Sequence, residues 1–382
     1  MNKIKRQFGP LIIFFVLLLS IPQSTLAAVS VSAKSAILIE QSSGRVIYEK
    51  TAHQPRRIAS ITKIMTAILA IESGKMAEKV TVSNRAVKAE GSSIYLQSGE
   101  KIKLEDLVYG LMLRSGNDSA VAIAEHVGGS LEGFVFLMNQ KAKELGMINS
   151  HFANPHGLDD HENHLSSAYD MAVLTRYAMM NPTYKKIAGT KVHRAPNPNE
   201  SWDRVWRNKN RLLTEKYKYT TGGKTGYTKR AKRTLVTTAT KGEMNLIAVT
   251  LDAPSDWNDH IHMYESAFRQ YDMVEIISSG KIRPVKDPIY RKHVYIKNSF
   301  SYPLNSSEES LTSVKYKMME PKENWEEQKN IPEVVGQAEV TIDGKTIKRM
   351  PIYFEHDILE DESLLKKFKA IFSLVLGVNT DG

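Results

Sequence analysis

A serine and a lysine three residues apart, Ser60 and Lys63, are the first pair of residues with a clear chemical use. The pattern Ser-x-x-Lys recurs elsewhere in the chain, but here it opens an apolar run whose spacing predicts a helix over residues 60–73. Both side chains then lie on one face of the helix, one turn apart. Burial among apolar neighbours such as Ile64 disfavours the charged amine and makes Lys63 a base for the serine. The alternative is a serine that only caps the helix and a solvated lysine.

The second pattern, Ser115-Gly-Asn117, is the only Ser-x-Asn in the chain. It joins two predicted helices over residues 104–113 and 119–127. A loop in this place can offer a hydroxyl and an amide to a cleft. Taken alone, the pattern also fits a turn followed by a helix cap.

The third pattern, Lys224-Thr-Gly226, also occurs once and lies on a predicted strand. Glycines before and within it let a ligand or another segment approach the backbone closely. The ammonium of Lys224 and the hydroxyl of Thr225 suit the recognition of a carboxylate. The alternative is an exposed, basic edge strand.

Residues 29–284 read as a mixed α/β body that would position these three patterns. Alternating β-branched residues predict hairpins, and helical periodicity predicts the helices between them. The predicted strands cover residues 35–40, 45–48, 234–240 and 246–251, and the further predicted helices cover residues 134–145, 170–180 and 260–271.

The chain changes character after residue 284, where short strand patterns replace helices. Strands are predicted over residues 293–296, 312–318, 334–342 and 347–354, and Asp343-Gly344 is a strong hairpin signal between the last two. We therefore expect a small β-rich domain over residues 285–358. The alternative is a decorated extension of the first domain.

In this order, separated by 55 and 109 residues, the three patterns resemble the motif set of penicillin-binding proteins, with Gly116 where class A β-lactamases carry aspartate. The chain is most similar to the low-molecular-mass penicillin-binding proteins that are serine D-alanyl-D-alanine carboxypeptidases, and within them to the sporulation-associated branch. This resemblance implies an α/β (α+β) fold, a β-lactamase/transpeptidase-like domain with a central antiparallel sheet flanked by helices. The matching segments are residues 57–67, 111–118, 154–158 and 221–227.

The resemblance also implies catalytic roles for the matching residues. Ser60 would attack the carbonyl of the penultimate D-alanine, and Lys63 would take its proton. Ser115 would relay a proton to the leaving amine, and Asn117 would hold Lys63 and the peptide amide. Water would then cleave the acyl-enzyme.

Substrate recognition is implied in the same way for the third pattern. Lys224 and Thr225 would bind the terminal carboxylate of a stem peptide that ends in D-Ala-D-Ala. Gly226 and Tyr227 complete this binding strand, and the backbone N–H groups of Ser60 and Tyr227 would form an oxyanion hole. β-Lactams would acylate the same serine, and no metal or organic cofactor is required.

A loop over residues 156–164 is rich in histidine and acids, which is a composition that can bind zinc. His161 and His164 are spaced by three residues, not by the four of a zinc-protease helix. We therefore expect a loop that lines the cleft without metal, with His156 or Asp159 near the substrate.

The N-terminus indicates where the protein acts. Residues 1–28 have a basic start, a short apolar middle and a small-residue cleavage site, which is the layout of a signal peptide cut after Ala27 or Ala28. The alternative is an uncleaved anchor. Either way the chain would be exported, which argues against nucleic acid as the partner of its net charge of +10. The absence of cysteine excludes disulfides, zinc-thiolate sites and a cysteine nucleophile.

The C-terminal residues 359–382 form a basic amphipathic pattern that predicts a helix lying on a membrane surface. The alternative is a helix packed on its own β domain. Together with export, the first interpretation places the protein at the outer face of the cytoplasmic membrane, near the cell wall.

Two other functions fit parts of this sequence. One is a serine β-lactamase or esterase on the same scaffold, which the extra β domain and basic tail disfavour. The other is an envelope protein that binds penicillin or peptidoglycan without turnover, and the three intact patterns argue against it.

Overall fold

The computed structural model describes residues 29–197, 200–283, 285 and 287–356. The predicted signal peptide and the predicted C-terminal helix lie outside these residues. In chain order the strands are β1 (Ser35–Glu40), β2 (Val46–Lys50), β3 (Lys79–Thr81), β4 (Lys101–Lys103), β5 (Val192–Ala195), β6 (Arg204–Arg207), β7 (Thr220–Thr228), β8 (Lys232–Lys241), β9 (Met244–Leu251), β10 (Asp272–Ile277), β11 (Gly280–Lys281), β12 (Val294–Ile296), β13 (Phe300–Leu304), β14 (Thr312–Met318), β15 (Val334–Ile342) and β16 (Lys345–Phe354).

The helices alternate with these strands mainly in the first 270 residues. They are α1 (Lys63–Glu72), α2 (Asn84–Val87), α3 (Leu104–Arg114), α4 (Asn117–Gly128), α5 (Leu131–Glu144), α6 (Ala168–Met180), α7 (Pro182–Ala188), α8 (Asp256–Gln270) and α9 (Ser306–Leu311). Short 3-10 turns occupy Ala59–Thr62, Glu323–Glu326 and Gln328–Asn330, and a π-helical turn occupies Leu212–Lys216.

A five-stranded antiparallel sheet in the order β2-β1-β9-β8-β7 forms the centre of the first unit. Both predicted hairpins are confirmed within it. The sheet is covered on both faces, because one large apolar cluster contains α1 and a second contains residues of α8 such as Met263 and Tyr264. Strand β7, which carries Lys224, is an edge strand as its alternative interpretation expected, but Lys224 itself is buried.

The helix predicted over residues 60–73 is confirmed, with a 3-10 first turn before α1. Its residues are buried on nearly every side, which explains the apolar composition all round the helix. The helix predicted over residues 260–271 begins earlier, at Asp256. Acidic residues fill its first turn, Asp256 and Asp259, where they favour the helix dipole.

Short elements escaped the sequence prediction, among them α7. Asn181 caps this helix by accepting hydrogen bonds from the backbone N–H groups of Thr183 and Tyr184, and Pro182 is its first residue. An asparagine followed by proline is a known helix start, so the sequence did contain this signal.

The C-terminal unit is β-rich, as predicted, and has its own apolar core. Its main sheet has the order β11-β12-β16-β15-β14, while β10 pairs with β13 beside it. The hairpin at Asp343-Gly344 is confirmed, and both residues have positive φ angles of 46° and 72°, as a two-residue hairpin turn of this composition requires. Strand β10 already starts at Asp272; the domain boundary at 284/285 stays a prediction.

One arginine connects the two units. The Arg45 guanidinium, next to the β1–β2 turn, lies 5.0 Å from the Tyr271 ring and 5.2 Å from the Tyr302 ring. It also forms an ion pair with Glu308 on α9. Cation–π contacts and an ion pair on one half-buried side chain hold the β domain against the sheet edge.

Among the described residues, no single helix is long and apolar enough to cross a bilayer. Helices α4 and α5 satisfy the length and composition only as a pair that bends by 84°. Both contribute side chains to the main core of the first unit, such as Ile123 and Phe134.

Candidate active site

Ser60 and Lys63 lie in the first turn of the helix that runs through the centre of the first unit. The Nζ atom of Lys63 is 3.0 Å from Ser60 Oγ. It donates hydrogen bonds of 2.7 Å to Asn117 Oδ1 and 2.7 Å to the His156 carbonyl oxygen. The lysine side chain has no exposed surface. The structure thus brings a serine of the first pattern and an asparagine of the second together around one buried amine.

The environment of Lys63 favours its neutral form. Burial lowers its pKa well below the usual range, and the positive charges of Lys224 and Lys209 lower it further. A neutral amine has two N–H groups and one lone pair. Asn117 Oδ1 and the His156 carbonyl accept the two N–H groups, so the lone pair faces the hydroxyl of Ser60.

The loop between α3 and α4 forms the second wall of the site. Ser115 has a left-handed backbone, with φ of 65°, and its buried Oγ has no hydrogen-bond partner among the described residues. Asn117 is the first residue of α4, and its Nδ2 donates to the carbonyl of Glu90. That bond fixes the amide so that Oδ1 faces Lys63.

Asp118 is a site residue that sequence reasoning missed. Its buried carboxylate accepts hydrogen bonds from Ser93 Oγ (2.6 Å) and from the backbone N–H groups of Ile94 and Leu96. These bonds hold the segment over residues 92–96 beside the cleft. Asp118 follows the second pattern directly, so adjacency to that pattern is the signal that could have found it.

Strand β7 forms the third wall. Lys224 is 2% exposed, and its Nζ donates to the Thr225 carbonyl at 2.8 Å. Burial, and then the charge of Lys209, lower the pKa of Lys224 to about 7. A Cβ atom on Gly226 would lie 2.9 Å from the Ser60 backbone nitrogen and 2.4 Å from Thr234 Oγ1. Only glycine therefore lets this strand pass so close to Ser60.

The three walls enclose an open cleft of about 320 Å³. Five predicted residues line it, and Lys63, Asn117 and Lys224 are buried around it. The lining residues are Ser60, Ser92, Ser115, Lys209, Thr225, Gly226, Tyr227, Arg233, Asp256 and Trp257.

Comparison with known proteins assigns this chain to a family. The sequence profile of the D-alanyl-D-alanine carboxypeptidase family matches residues 22–255. The chain belongs to this family. A second profile, that of the C-terminal domain of penicillin-binding protein 5, matches residues 271–360.

Individual relatives cover most of the chain. D-alanyl-D-alanine carboxypeptidase DacF of Bacillus subtilis (strain 168) is 36% identical over 338 residues, which are 85% of this chain and 86% of that protein. D-alanyl-D-alanine carboxypeptidase DacC of Escherichia coli (strain K12) is 30% identical over 363 residues, which are 88% of this chain and 87% of that protein. Penicillin-binding protein 5 of Haemophilus influenzae superposes with a TM-score of 0.69 at 25% identity, covering 86% of this chain and 98% of that structure. The predicted penicillin-binding fold is confirmed.

Lys209 is a second residue of this carboxypeptidase cleft that the sequence patterns did not identify. Its Nζ donates to Ser92 Oγ at 3.3 Å, and its backbone N–H donates to the Leu113 carbonyl at 3.1 Å. Burial, and then the charge of Arg114, lower its pKa. Lys209 lies in an irregular segment before a π-helical turn, where no short motif marks it.

The Arg233–Asp256 pair also lines the cleft of this family member and was not predicted. The Arg233 guanidinium lies 2.7 Å from Asp256 Oδ1 and 5.4 Å from the centre of the Trp257 ring. Burial raises the pKa of the Asp256 carboxyl, while Arg233 opposes that shift. The sequence predicted that this helix starts at residue 260, which placed Asp256 and Trp257 in a loop. Their place at the start of α8, facing the cleft, was therefore not predicted.

His156 and Asp159 have different surroundings in the structure. His156 contributes its backbone carbonyl to Lys63, while its ring Nδ1 accepts from the Leu158 N–H at 3.2 Å. Burial, and then Lys63, lower the pKa of its imidazole to about 3. Asp159 lies 3.6 Å from Arg57, in an ion pair at the rim. Contact of either side chain with substrate stays a prediction.

His164 of this loop is buried and serves the packing of the described structure. His164 is bonded to Thr62 Oγ1 at 2.8 Å and accepts from the Ala153 N–H at 3.0 Å. Among the residues that the structure describes, no three histidine or acidic side chains are grouped closely enough to hold a metal ion.

Proposed function

We propose that this protein is a serine D-Ala-D-Ala carboxypeptidase that removes the terminal D-alanine from peptidoglycan stem peptides during cell-wall metabolism. The observation that carries the proposal is the Lys63 amine, whose N–H groups are occupied by two acceptors while its third direction faces Ser60 Oγ at 3.0 Å. A buried neutral amine beside one hydroxyl is the arrangement of an activated nucleophile.

Acylation begins with transfer of the Ser60 proton to Lys63. The serine oxygen forms a bond to the carbonyl carbon of the penultimate D-alanine, and the carbonyl becomes an oxyanion. Backbone N–H groups of Ser60 and Tyr227 stabilise that charge, each by about 3 kcal/mol. The close passage of Gly226 beside the Ser60 nitrogen supports this role for β7.

Collapse of the oxyanion breaks the peptide bond and needs a proton on the leaving amine. Ser115 relays to that amine the proton that Lys63 took from Ser60, because Ser115 lines the cleft with Ser60 and its buried Oγ is unpartnered in the described structure. Asn117 keeps Lys63 in place through the 2.7 Å bond. Water then attacks the Ser60 ester and releases the shortened peptide.

Strand β7 selects peptides that have a free C-terminal carboxylate. A terminal carboxylate binds to Lys224 and Thr225, which favours a free D-alanine over an internal residue. Since burial places the pKa of Lys224 at about 7, the ammonium that binds carboxylate is lost as pH rises above that value. A β-lactam also carries a carboxylate next to a reactive amide, and it acylates Ser60 in the same way.

The proposal is tested by mass spectrometry after benzylpenicillin treatment, followed by an assay of D-alanine release. We expect one penicilloyl group on Ser60, release of D-alanine from a peptide ending in D-Ala-D-Ala, and neither result with Ser60→Ala. Rapid loss of the penicilloyl group without D-alanine release would indicate a β-lactamase. A stable adduct without any D-alanine release would indicate a binding protein, and an adduct on another residue would overturn the assignment of Ser60.

We also propose export and peripheral attachment at the outer face of the cytoplasmic membrane. The pattern of residues 1–28 supports export, with cleavage after Ala27 or Ala28, and the basic amphipathic pattern of residues 359–382 supports attachment. Removal of residues 361–382 should move the protein from the membrane fraction to the soluble fraction; continued association would assign attachment elsewhere. The relation to the sporulation-associated branch stays a prediction.

A further inference from the structure

A second cleft, of about 720 Å³, lies beside the reaction cleft. It is lined by two exposed aromatic side chains, three arginines and one glutamate among the described residues. We call it the Trp202 cleft. Its principal lining residues are Tyr95, Arg114, Glu200, Trp202, Arg204 and Arg207.

The two clefts share their walls. Ser92 lines the reaction cleft and Ser93 the Trp202 cleft. In the same way, Arg114 of the Trp202 cleft directly precedes Ser115 of the reaction cleft. A peptide bound at Ser60 can therefore continue from one cleft into the other without leaving the protein surface.

Only one side of the substrate is long enough to do so. The proposed reaction releases a single D-alanine, so the leaving side ends within the reaction cleft near Lys224. Everything else in the stem peptide belongs to the acyl side of the cleaved bond. On the basis of the proposed function, we infer that the Trp202 cleft binds the acyl-side segment of the stem peptide and recognises a carboxylate on it.

The charge of the two clefts fits such a ligand. The charge of Lys209 lowers the pKa of Lys224, and the charge of Arg114 lowers the pKa of Lys209. Each of these cations therefore lies near the next. A row of positive charges thus leads from the reaction cleft to Arg114. The Arg114 guanidinium donates to the Arg207 carbonyl at 3.3 Å, which places both arginines at the same wall. Arginine is the side chain best suited to bind a carboxylate through two hydrogen bonds.

A buried ion pair lies beneath the cleft. Arg204 is 6% exposed, and its Nη2 donates to Glu100 Oε2 at 2.7 Å. Its Nη1 and Glu100 Oε1 have no hydrogen-bond partner in the described part of the chain. The buried ion pair fixes the floor of the cleft.

The aromatic residues supply flat surfaces for the apolar parts of a peptide. Tyr95 is 84% exposed and Trp202 is 60% exposed, which is unusual for such large side chains. Tyr95 also has a left-handed backbone with φ of 61°, held by a 2.7 Å bond from its N–H to Ser93 Oγ. Strain that presents an aromatic ring to solvent beside a cleft favours a binding role.

The test compares two synthetic pentapeptides that both end in D-Ala-D-Ala and carry glutamate or glutamine as the second residue. We expect the wild-type enzyme to prefer the glutamate peptide in kcat/KM. In the double variant Arg114→Gln/Arg207→Gln, kcat/KM for the glutamate peptide should fall about ten-fold, as expected for the loss of a charged hydrogen bond, while the glutamine peptide changes less than two-fold. Arg85→Gln, an exposed arginine on α2 outside both clefts, is the matched control.

Penicillin labelling of Ser60 and D-alanine release from N-acetylated Lys-D-Ala-D-Ala report separately on the reaction cleft. If both persist and the wild-type enzyme cleaves the two pentapeptides equally, the inference is wrong while the proposed function stands. Equal losses for both pentapeptides in the double variant would also overturn it. Failure of labelling and of D-alanine release in the wild-type protein would overturn the proposed function, and the inference with it.

Discussion

Two buried lysines of the reaction cleft and two arginines at its rim differ in the groups that surround them. Lys63 and Lys224 are buried and are met by neutral oxygens, from an amide and from backbone carbonyls. At the rim, Arg57 and Arg230 both form ion pairs with the carboxylate of Glu162, at 2.5 and 2.7 Å. The same polypeptide thus buries two amines that form no ion pair and pairs two rim guanidinium groups directly with a carboxylate.

The difference explains why the two buried lysines, and not the arginines at the rim, can change their protonation state. Burial lowers the pKa of both lysines, to about 7 for Lys224, so their amines lose a proton more readily than an exposed lysine does. At the rim, hydrogen bonding to Glu162 raises the pKa of Arg230 and keeps it charged. The reactivity of these lysines therefore follows mainly from their burial, and the rim pairs serve to position the loop at residues 156–164.

The largest expected effect is the loss of the buried base. Lys63→Met keeps a similar volume but has no lone pair on nitrogen, so the rate of Ser60 acylation by benzylpenicillin should fall by about 10³-fold. Stopped-flow or quenched acylation measures this rate, and Lys101→Met on exposed β4 is the matched control. Acylation at the wild-type rate in Lys63→Met would remove the lysine from the mechanism.

A smaller loss is expected for the cation that binds the substrate. Lys224→Ala should reduce kcat/KM for peptides with a free terminal carboxylate by about 100-fold, through the loss of a charged hydrogen bond. Peptides with an amidated C-terminus should lose much less. Equal losses for the two peptide types would reject the carboxylate role of Lys224.

The variant Asp118→Asn tests whether the negative charge of Asp118 keeps the pKa of Lys63 from falling further. Its carboxylate raises the pKa of Lys63, so Asp118→Asn should lower that pKa further. The Lys63 amine then stays neutral down to a lower pH. In a plot of the Ser60 acylation rate against pH, the fall on the acid side should therefore move to lower pH. We also expect a loss of about 1–3 kcal/mol in stability, because the bonds to Ile94 and Leu96 are weakened. A fall that moves to higher pH would contradict this electrostatic account.

The smallest effect is expected at the rim. Glu162→Gln removes the charge shared by Arg57 and Arg230, but the Glu162 side chain is exposed and Arg57 keeps its ion pair with Asp159. Exposed ion pairs contribute little, so kcat/KM should change by less than about two-fold and the melting temperature should be unchanged. A loss as large as that of Lys224→Ala would show that the rim pairs take part in the reaction.

Sequence patterns were sufficient for the centre of the site because its residues have unusual types at fixed spacing. Ser60 and Lys63 are joined by helix geometry, and an apolar helix predicted the burial that the structure has. The hairpins were predictable for a similar reason, since alternation and Asp343-Gly344 are local signals.

The missed residues depend on tertiary packing. Lys209 reaches the cleft from an irregular segment, and its position is set by a bond to the Leu113 carbonyl nearly a hundred residues earlier in the chain. His156 was expected near the substrate, and the structure adds that its backbone carbonyl accepts a hydrogen bond from Lys63. A carbonyl is present in every residue, so no sequence pattern could have singled it out.

The most direct measurement is the second-order rate constant for acylation of Ser60 by benzylpenicillin as a function of pH. If Lys63 is the base, the rate should fall as pH drops and the amine becomes protonated, because only the neutral form accepts the serine proton. The rate should also fall as pH rises past about 7, the pKa of Lys224, because the ammonium that binds the carboxylate is lost there. A rate that stays constant far into acid, where Lys63 carries a proton, would contradict the central claim that a neutral buried lysine activates Ser60.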